Sequence, residues 1–138
     1  MITKDSRILL IDDSPAIQAI LRQLLQALGY TKVDAAGSVK EGLELIKQAS
    51  YDVVFLDMVL PEESGDEFAQ AALADNPALK VVVTTALPYS HESVMNAISQ
   101  GASDYLPKPV RLDALKAVMQ RLERESQYQT PPRDLTYV

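Results

Sequence analysis

The sequence predicts an α/β fold: a five-stranded parallel sheet, doubly wound, with helices on both faces. Three observations lead there. Short apolar runs such as Val53-Val54-Phe55-Leu56 and Val81-Val82-Val83 are continuous rather than alternating, as strands covered on both faces require. Between them lie segments with apolar residues at helical spacing, punctuated by glycine and proline. The two kinds of segment alternate strictly, strand then helix, with short connections, and this order means right-handed crossovers and a parallel sheet.

The first strand is Ile8 to Ile11, stopped by Asp12-Asp13. Ser14-Pro15 then opens a helix, serine as the cap and proline in the first turn, where its missing N–H costs nothing. Ile17, Ile20, Leu21, Leu24, Leu25 and Leu28 form the inward stripe of that helix, and Gly29 ends it. Lys32 to Ala36 is a weaker strand, expected near an edge. Ser38 with Glu41 is a capping box for helix 2, whose buried residues are Val39, Leu43 and Ile46. Tyr51 to Asp57 is the third strand, and Pro61 and Gly65 turn the chain straight into helix 3, with Phe68, Ala71 and Ala72. Asn76-Pro77 closes helix 3, and Leu79 to Thr85 is the fourth strand. Ser90 is the expected cap of helix 4, which carries Val94, Ala97 and Ile98 inward and ends at Gly101; His91 reads as a solvated residue of its first turn. Ser103 to Leu106 is the fifth strand, halted by Pro107-Lys108-Pro109, and helix 5 holds Leu112, Leu115, Val118, Met119 and Leu122. The pattern fails after about Glu125, which divides the chain into a domain over 1–125 and a tail or linker over 126–138.

Composition narrows the function. The 138 residues are 47% hydrophobic and 23% charged, the profile of one soluble domain with one core. A net charge of -6 argues against direct binding to nucleic acid or an anionic membrane and is compatible with a cation site. No cysteine is present and His91 is the only histidine, which excludes thiol chemistry, disulfides and a multi-histidine metal cage. No apolar run is long enough to span a bilayer and the start has no signal-peptide pattern, so the expected location is the cytoplasm.

Open parallel sheets place their sites outside the carboxyl ends of the strands. Those ends carry Asp12 and Asp13, then Asp57, Thr84-Thr85 and Lys108; the end of the second strand offers nothing comparable. Each residue alone is an ordinary strand-end or surface residue. Together they bring three carboxylates, a hydroxyl and an ammonium to one rim. Three close carboxylates repel one another, and a divalent cation relieves that. All-oxygen ligands suit Mg²⁺, with Mn²⁺ as a substitute. Metal and lysine charge suit an incoming phosphoryl group, and Asp57 is the natural nucleophile, since aspartyl phosphate is established covalent chemistry.

Asp12-Asp13, Asp57 followed by Leu60-Pro61 and Gly65, Thr85-Ala86, Gly101-Ala102, Tyr105 and Lys108-Pro109 resemble, in this order, the response-regulator receiver domain of two-component signalling. The resemblance covers residues 7 to about 125. It implies a flavodoxin-like strand order 2-1-3-4-5. It implies that Asp57 accepts phosphate from a histidine kinase or a histidine phosphotransfer protein. Asp13, Asp57 and the Val59 carbonyl would ligate Mg²⁺, with Asp12 acting through water. Lys108 would pair with the phosphoryl group, Thr85 would swing to it, and Tyr105 would turn inward behind Thr85. The Lys108-Pro109 bond would be cis. The output face would be helix 4, strand 5 and helix 5, where receivers dimerise or bind targets. Phosphorylation would thus shift a pre-existing equilibrium, and the domain would be no enzyme beyond its own phosphotransfer and autodephosphorylation.

Some positions depart from the family pattern. Leu60 stands where methionine is common, and Ser64 replaces the frequent aspartate before Gly65. The stretch from Thr85 to Gly101 is one residue longer than in chemotaxis-type members, which leaves Thr84 and Thr85 both open as the switch residue; Thr85 is preferred because Ala86 follows it. Val59, two residues after Asp57, cannot orient a water, so loss of the phosphoryl group is expected to be slow. The same valine speaks against a rival reading, a metal-dependent aspartyl-phosphate phosphohydrolase, which needs an acid/base carboxylate there. A second rival is a receiver-shaped interaction module that works without phosphate. A single-domain regulator and the receiver portion of a longer protein both remain open, and the tail residues Tyr128, Leu135, Tyr137 and Val138 could dock on a neighbouring surface.

Overall fold

A computed structural model describes residues 1–60 and 63–127. Pro61 and the tail from residue 128 onward, including Tyr128, Leu135, Tyr137 and Val138, lie outside the described residues.

The strands and helices follow in the order β1 (Ile8–Ile11), α1 (Pro15–Ala27), β2 (Val33–Ala36), α2 (Val39–Gln48), β3 (Val53–Leu56), β4 (Val59–Leu60), β5 (Glu63–Ser64), α3 (Gly65–Asp75), β6 (Lys80–Thr85), α4 (Glu92–Ser99), β7 (Asp104–Pro107) and α5 (Leu112–Gln127). The main sheet runs β2-β1-β3-β6-β7 and every neighbouring pair in it is parallel. Counting only its own strands, this is the expected 2-1-3-4-5 order, with the weak second strand at an edge. None of the described helices is long and apolar enough to cross a membrane.

Side chains alternate across each strand, so the two faces make two cores. Leu9, Ile11, Val54, Leu56, Val81 and Val83 pack with Phe68, Ala69, Ala72, Val94 and Ala97 on the side of α2, α3 and α4. Ile8, Leu10, Val53, Phe55 and Val82 pack with Leu21, Leu25, Leu115, Val118, Met119 and Leu122 on the side of α1 and α5. Local signals act as their chemistry requires. Ser14 and Ser38 cap α1 and α2 through their side chains, accepting from Ile17 N and Glu41 N. Gly29 and Gly101 follow α1 and α4 with φ of 100° and 113°, a region that suits glycine.

Several expectations are corrected. Ile20 and Leu112 are 47% and 44% exposed, and Ala71 is exposed while Ala69 is buried. An apolar stripe read at i, i+3 and i+4 spans a wider arc than the sheet can cover, so residues on its flank stay in solvent. Helix α4 starts one residue later than expected: His91, not Ser90, is its cap, with Nδ1 accepting from Ser93 N at 3.1 Å. The chain does not turn straight from β3 into α3; it makes the small antiparallel hairpin β4–β5 first. Helix α5 runs from Leu112 to Gln127. Ser126 is buried and its hydroxyl accepts from Ile2 N at 2.8 Å, a contact between residues far apart in sequence that no local pattern reveals.

Helix α2 lies close on β1 because residue 42 is glycine. A Cβ there would stand 2.6 Å from Ile11 Cδ1 and 3.4 Å from Phe68 Cε1. Gly42→Val is expected to cost about 1–3 kcal/mol through overpacking, despite the better helix propensity of the new residue. Urea unfolding with an unchanged m-value and a lower midpoint would report it; an unchanged midpoint would show that α2 simply lifts away.

Candidate functional site

The register of the sheet brings the strand ends level. Ile11 pairs with Leu56, and Leu56 with Val83, so Asp12 and Asp57 leave neighbouring strands side by side. The Asp12 amide donates to Ala36 O and the Asp57 amide to Ile11 O, which extends the sheet by one residue at each aspartate. Thr85 lies opposite Pro107, and the Lys108 amide donates to Thr85 O at 3.0 Å, which fixes where the Lys108 side chain starts. The Lys108–Pro109 peptide bond is cis.

One carboxylate oxygen from each of Asp12, Asp13 and Asp57 lies within 4.8 Å of the others. Asp12 and Asp57 are buried, at 2% and 6% exposure, while Asp13 is exposed. Lys108 Nζ bridges the buried pair, 2.6 Å from Asp12 Oδ2 and 2.9 Å from Asp57 Oδ2. The other oxygens of the pair are held too: Asp12 Oδ1 accepts from Ser14 N and Asp57 Oδ1 from Val59 N, both at 3.0 Å. Among the described residues nothing donates to the Asp13 carboxylate. Burial works against the charge on Lys108, but the hydrogen bonds to Asp12 and Asp57 and their charges outweigh it, and its pKa is raised above the ordinary 10.5. Its ion-pair contribution to stability is therefore complete at neutral pH. As far as Lys108 itself titrates, that contribution is lost in alkali, as pH rises past the unfolded value and through the raised folded one.

The donor set fits a hard divalent cation. All three side chains offer oxygen, the charge is dense, and one carboxylate faces solvent where a hydrated ion would enter. The Val59 side chain is 56% exposed, and it presents no polar group to the rim.

The two threonines separate by face. Thr85 shares the face of Val81 and Val83, toward α3 and α4, and its Oγ1 accepts from Leu87 N at 3.2 Å. Thr84 points to the opposite face, with Val82, and its buried hydroxyl has no hydrogen-bond partner among the described residues. Tyr105 is half-buried, packs on the same side as Thr85, and donates its hydroxyl to Leu87 O at 2.6 Å. Its ring meets that of Tyr89 edge to face, with centroids 5.4 Å apart. Thr85 and Tyr105 thus hold opposite ends of one residue, Leu87. His91 stays at the exposed start of α4.

Sequence reasoning passed over Leu87 and Gln18. Leu87 acts through its backbone, and nothing in a side chain announces that. Gln18 Nε2 donates to Asp12 O at 2.6 Å and Ala36 O at 3.4 Å. A polar residue on the first turn of α1, just beyond the acidic pair, was the signal available for it.

Comparison with known proteins gives one consistent result. The family model for the response regulator receiver domain matches residues 8–120. A probable C4-dicarboxylate response regulator, DctR of Priestia megaterium, is 33% identical over 115 residues, covering 83% of this chain and 50% of that protein. The chain thus spans half the length of that relative. The receiver domain protein (CheY-like) of Methanospirillum hungatei superposes with a TM-score of 0.81 at 30% identity, covering 90% of this chain and 98% of the other. The response regulator TrrA of Thermotoga maritima, solved in complex with Mg²⁺–BeF, superposes with a TM-score of 0.74 at 33% identity, covering 85% and 98%.

Proposed function

Since the chain belongs to the response regulator receiver domain family of two-component signalling, we propose that it accepts a phosphoryl group on Asp57 from the phosphohistidine of a histidine kinase or phosphotransfer protein. The observation that carries this is the rim itself: Asp12, Asp13 and Asp57 within 4.8 Å, with the Lys108 ammonium between the two buried carboxylates. Response regulators partner histidine kinases and are signalling proteins rather than enzymes in the ordinary sense. The Thermotoga relative, solved in complex with Mg²⁺–BeF, supports the reading, because a fluoroberyllate has the shape of a phosphoryl group.

Asp13, Asp57 and the Val59 carbonyl would hold Mg²⁺, with Asp12 as the outer carboxylate; when bound, the ion neutralises charge on the phosphoryl oxygens. The rest is the work of this chain. Val59 N holds Asp57 Oδ1 and Lys108 holds Oδ2, and Oδ2 becomes the attacking oxygen as Lys108 turns to the incoming phosphoryl group. It attacks phosphorus in line, the P–N bond to the imidazole breaks, and a P–O bond to Asp57 forms. Lys108, 2.9 Å from that oxygen, exchanges its carboxylate partner for a phosphoryl oxygen.

The new group draws the Thr85 hydroxyl away from Leu87 N, and Tyr105 leaves Leu87 O to fill the space behind it. The two states pre-exist, and phosphorylation biases them. The surface that changes is that of α4, β7 and α5, available for a partner or a second copy. With the apolar Val59 beside the site, the aspartyl phosphate persists rather than hydrolysing quickly.

The test is covalent incorporation. Acetyl phosphate with Mg²⁺ should phosphorylate the protein, and chelation with EDTA should prevent it. A protein that binds Mg²⁺ yet stays unmodified by both acetyl phosphate and a phosphorylated histidine donor would favour a phosphate-independent interaction module.

A further inference from the structure

We propose that Gln18 is a positioning residue for the cation, acting through the Asp12–Asp13 peptide. The inference rests on reading the acidic rim as the Mg²⁺ site. Asp12 is held at every polar atom. Its amide is on Ala36 O, its Oδ1 on Ser14 N and its Oδ2 on Lys108. Its carbonyl accepts from Gln18 Nε2 at 2.6 Å. Among the described residues none donates to the Asp13 carboxylate, so of the contacts seen only those of the backbone bear on where it points.

The Asp12 carbonyl and the Asp13 amide belong to one rigid plane. Fixing the carbonyl fixes the rotation of that plane, and with it the position of the Asp13 Cα from which the side chain departs. The same Gln18 amide reaches Ala36 O at 3.4 Å, so it ties the ends of β1 and β2 to the first turns of α1. Both acceptors are carbonyls, and only the nitrogen end of the amide can serve them. Gln18 thus does for Asp13 what an outer hydrogen bond does for a metal-binding carboxylate: it removes the cost of ordering the ligand when the ion arrives.

Gln18→Met keeps the length and removes the donor; Gln18→Ala also removes the bulk. The expected result for both is a Mg²⁺ dissociation constant weakened about ten-fold by titration calorimetry, with the thermal midpoint in EDTA close to wild type. Phosphorylation by acetyl phosphate should need correspondingly more Mg²⁺ but reach the wild-type maximum once saturated. Unchanged Mg²⁺ affinity in Gln18→Met would overturn the inference. So would a lowered maximum at saturating Mg²⁺, which would mean that Gln18 acts on the reaction by another route. Lack of Mg²⁺ affinity in the wild type would overturn the reading of the rim, and this inference with it.

Discussion

Incubated with acetyl phosphate and Mg²⁺, the wild-type protein should gain about 80 Da, one phosphoryl group, and Asp57→Asn should gain nothing. The substitution is close to isosteric. Asparagine keeps an oxygen to accept from Val59 N, and the apolar strand Val53–Leu56 below it is untouched. What it removes is the nucleophilic oxygen and one of the two negative partners of Lys108, which then pairs with Asp12 alone. The fold should therefore survive, with a far-ultraviolet spectrum and an unfolding midpoint near those of wild type. Intact mass and a thermal melt on the same samples read both halves of the prediction. A phosphoryl gain in Asp57→Asn would mean that Asp12 or Asp13 is the acceptor, and the assignment of roles on the rim would have to be redrawn.

Lys108→Ala should be the most destabilising single change on the rim. Asp12 and Asp57 are both buried and share Lys108 Nζ. Taking away the ammonium leaves two buried carboxylates facing each other without a counter-charge, and breaking a buried pair from one side costs about 3 kcal/mol or more. The loss should show as a lower unfolding midpoint in EDTA. Mg²⁺ supplies positive charge to the same carboxylates, so it should raise the midpoint of the variant by more than it raises that of wild type. Equal shifts in both proteins would show that the ion does not share the Lys108 carboxylates. Phosphorylation itself should remain possible, because the nucleophile is intact, but the response of the α4–β7–α5 face should be blunted: without the ammonium, nothing at the residue that follows β7 pairs with the phosphoryl group.

Much of this protein was legible along the chain because the relevant forces are local or periodic. Continuous apolar runs demand cover on both faces, so Ile8–Ile11, Val53–Leu56 and Lys80–Thr85 had to be interior strands. Ser14, Ser38, Gly29 and Gly101 mark helix ends by the hydrogen bonds and dihedral angles they allow, whatever surrounds them. Once the sheet is parallel, its strand ends share one rim, which is why Asp12, Asp13, Asp57 and Lys108 were readable as one cluster. Other features depended on which surfaces meet. Ile20 and Leu112 have the right spacing for a core, but the sheet does not reach them. Ser126 is buried where it meets Ile2, far away in sequence, and His91 caps α4 because the preceding loop delivers it there. Thr84 and Thr85 are equivalent in composition, and only the pleat of β6 sends one hydroxyl toward Leu87 and Tyr105 and the other to the opposite face. Gln18 and Leu87 matter through backbone groups of distant or unremarked residues. Propensity and periodicity are properties of a segment, so the chain alone determined the elements and their order. Register, facing and hydrogen-bond partnership are properties of pairs far apart in sequence, and those only the packed structure decided.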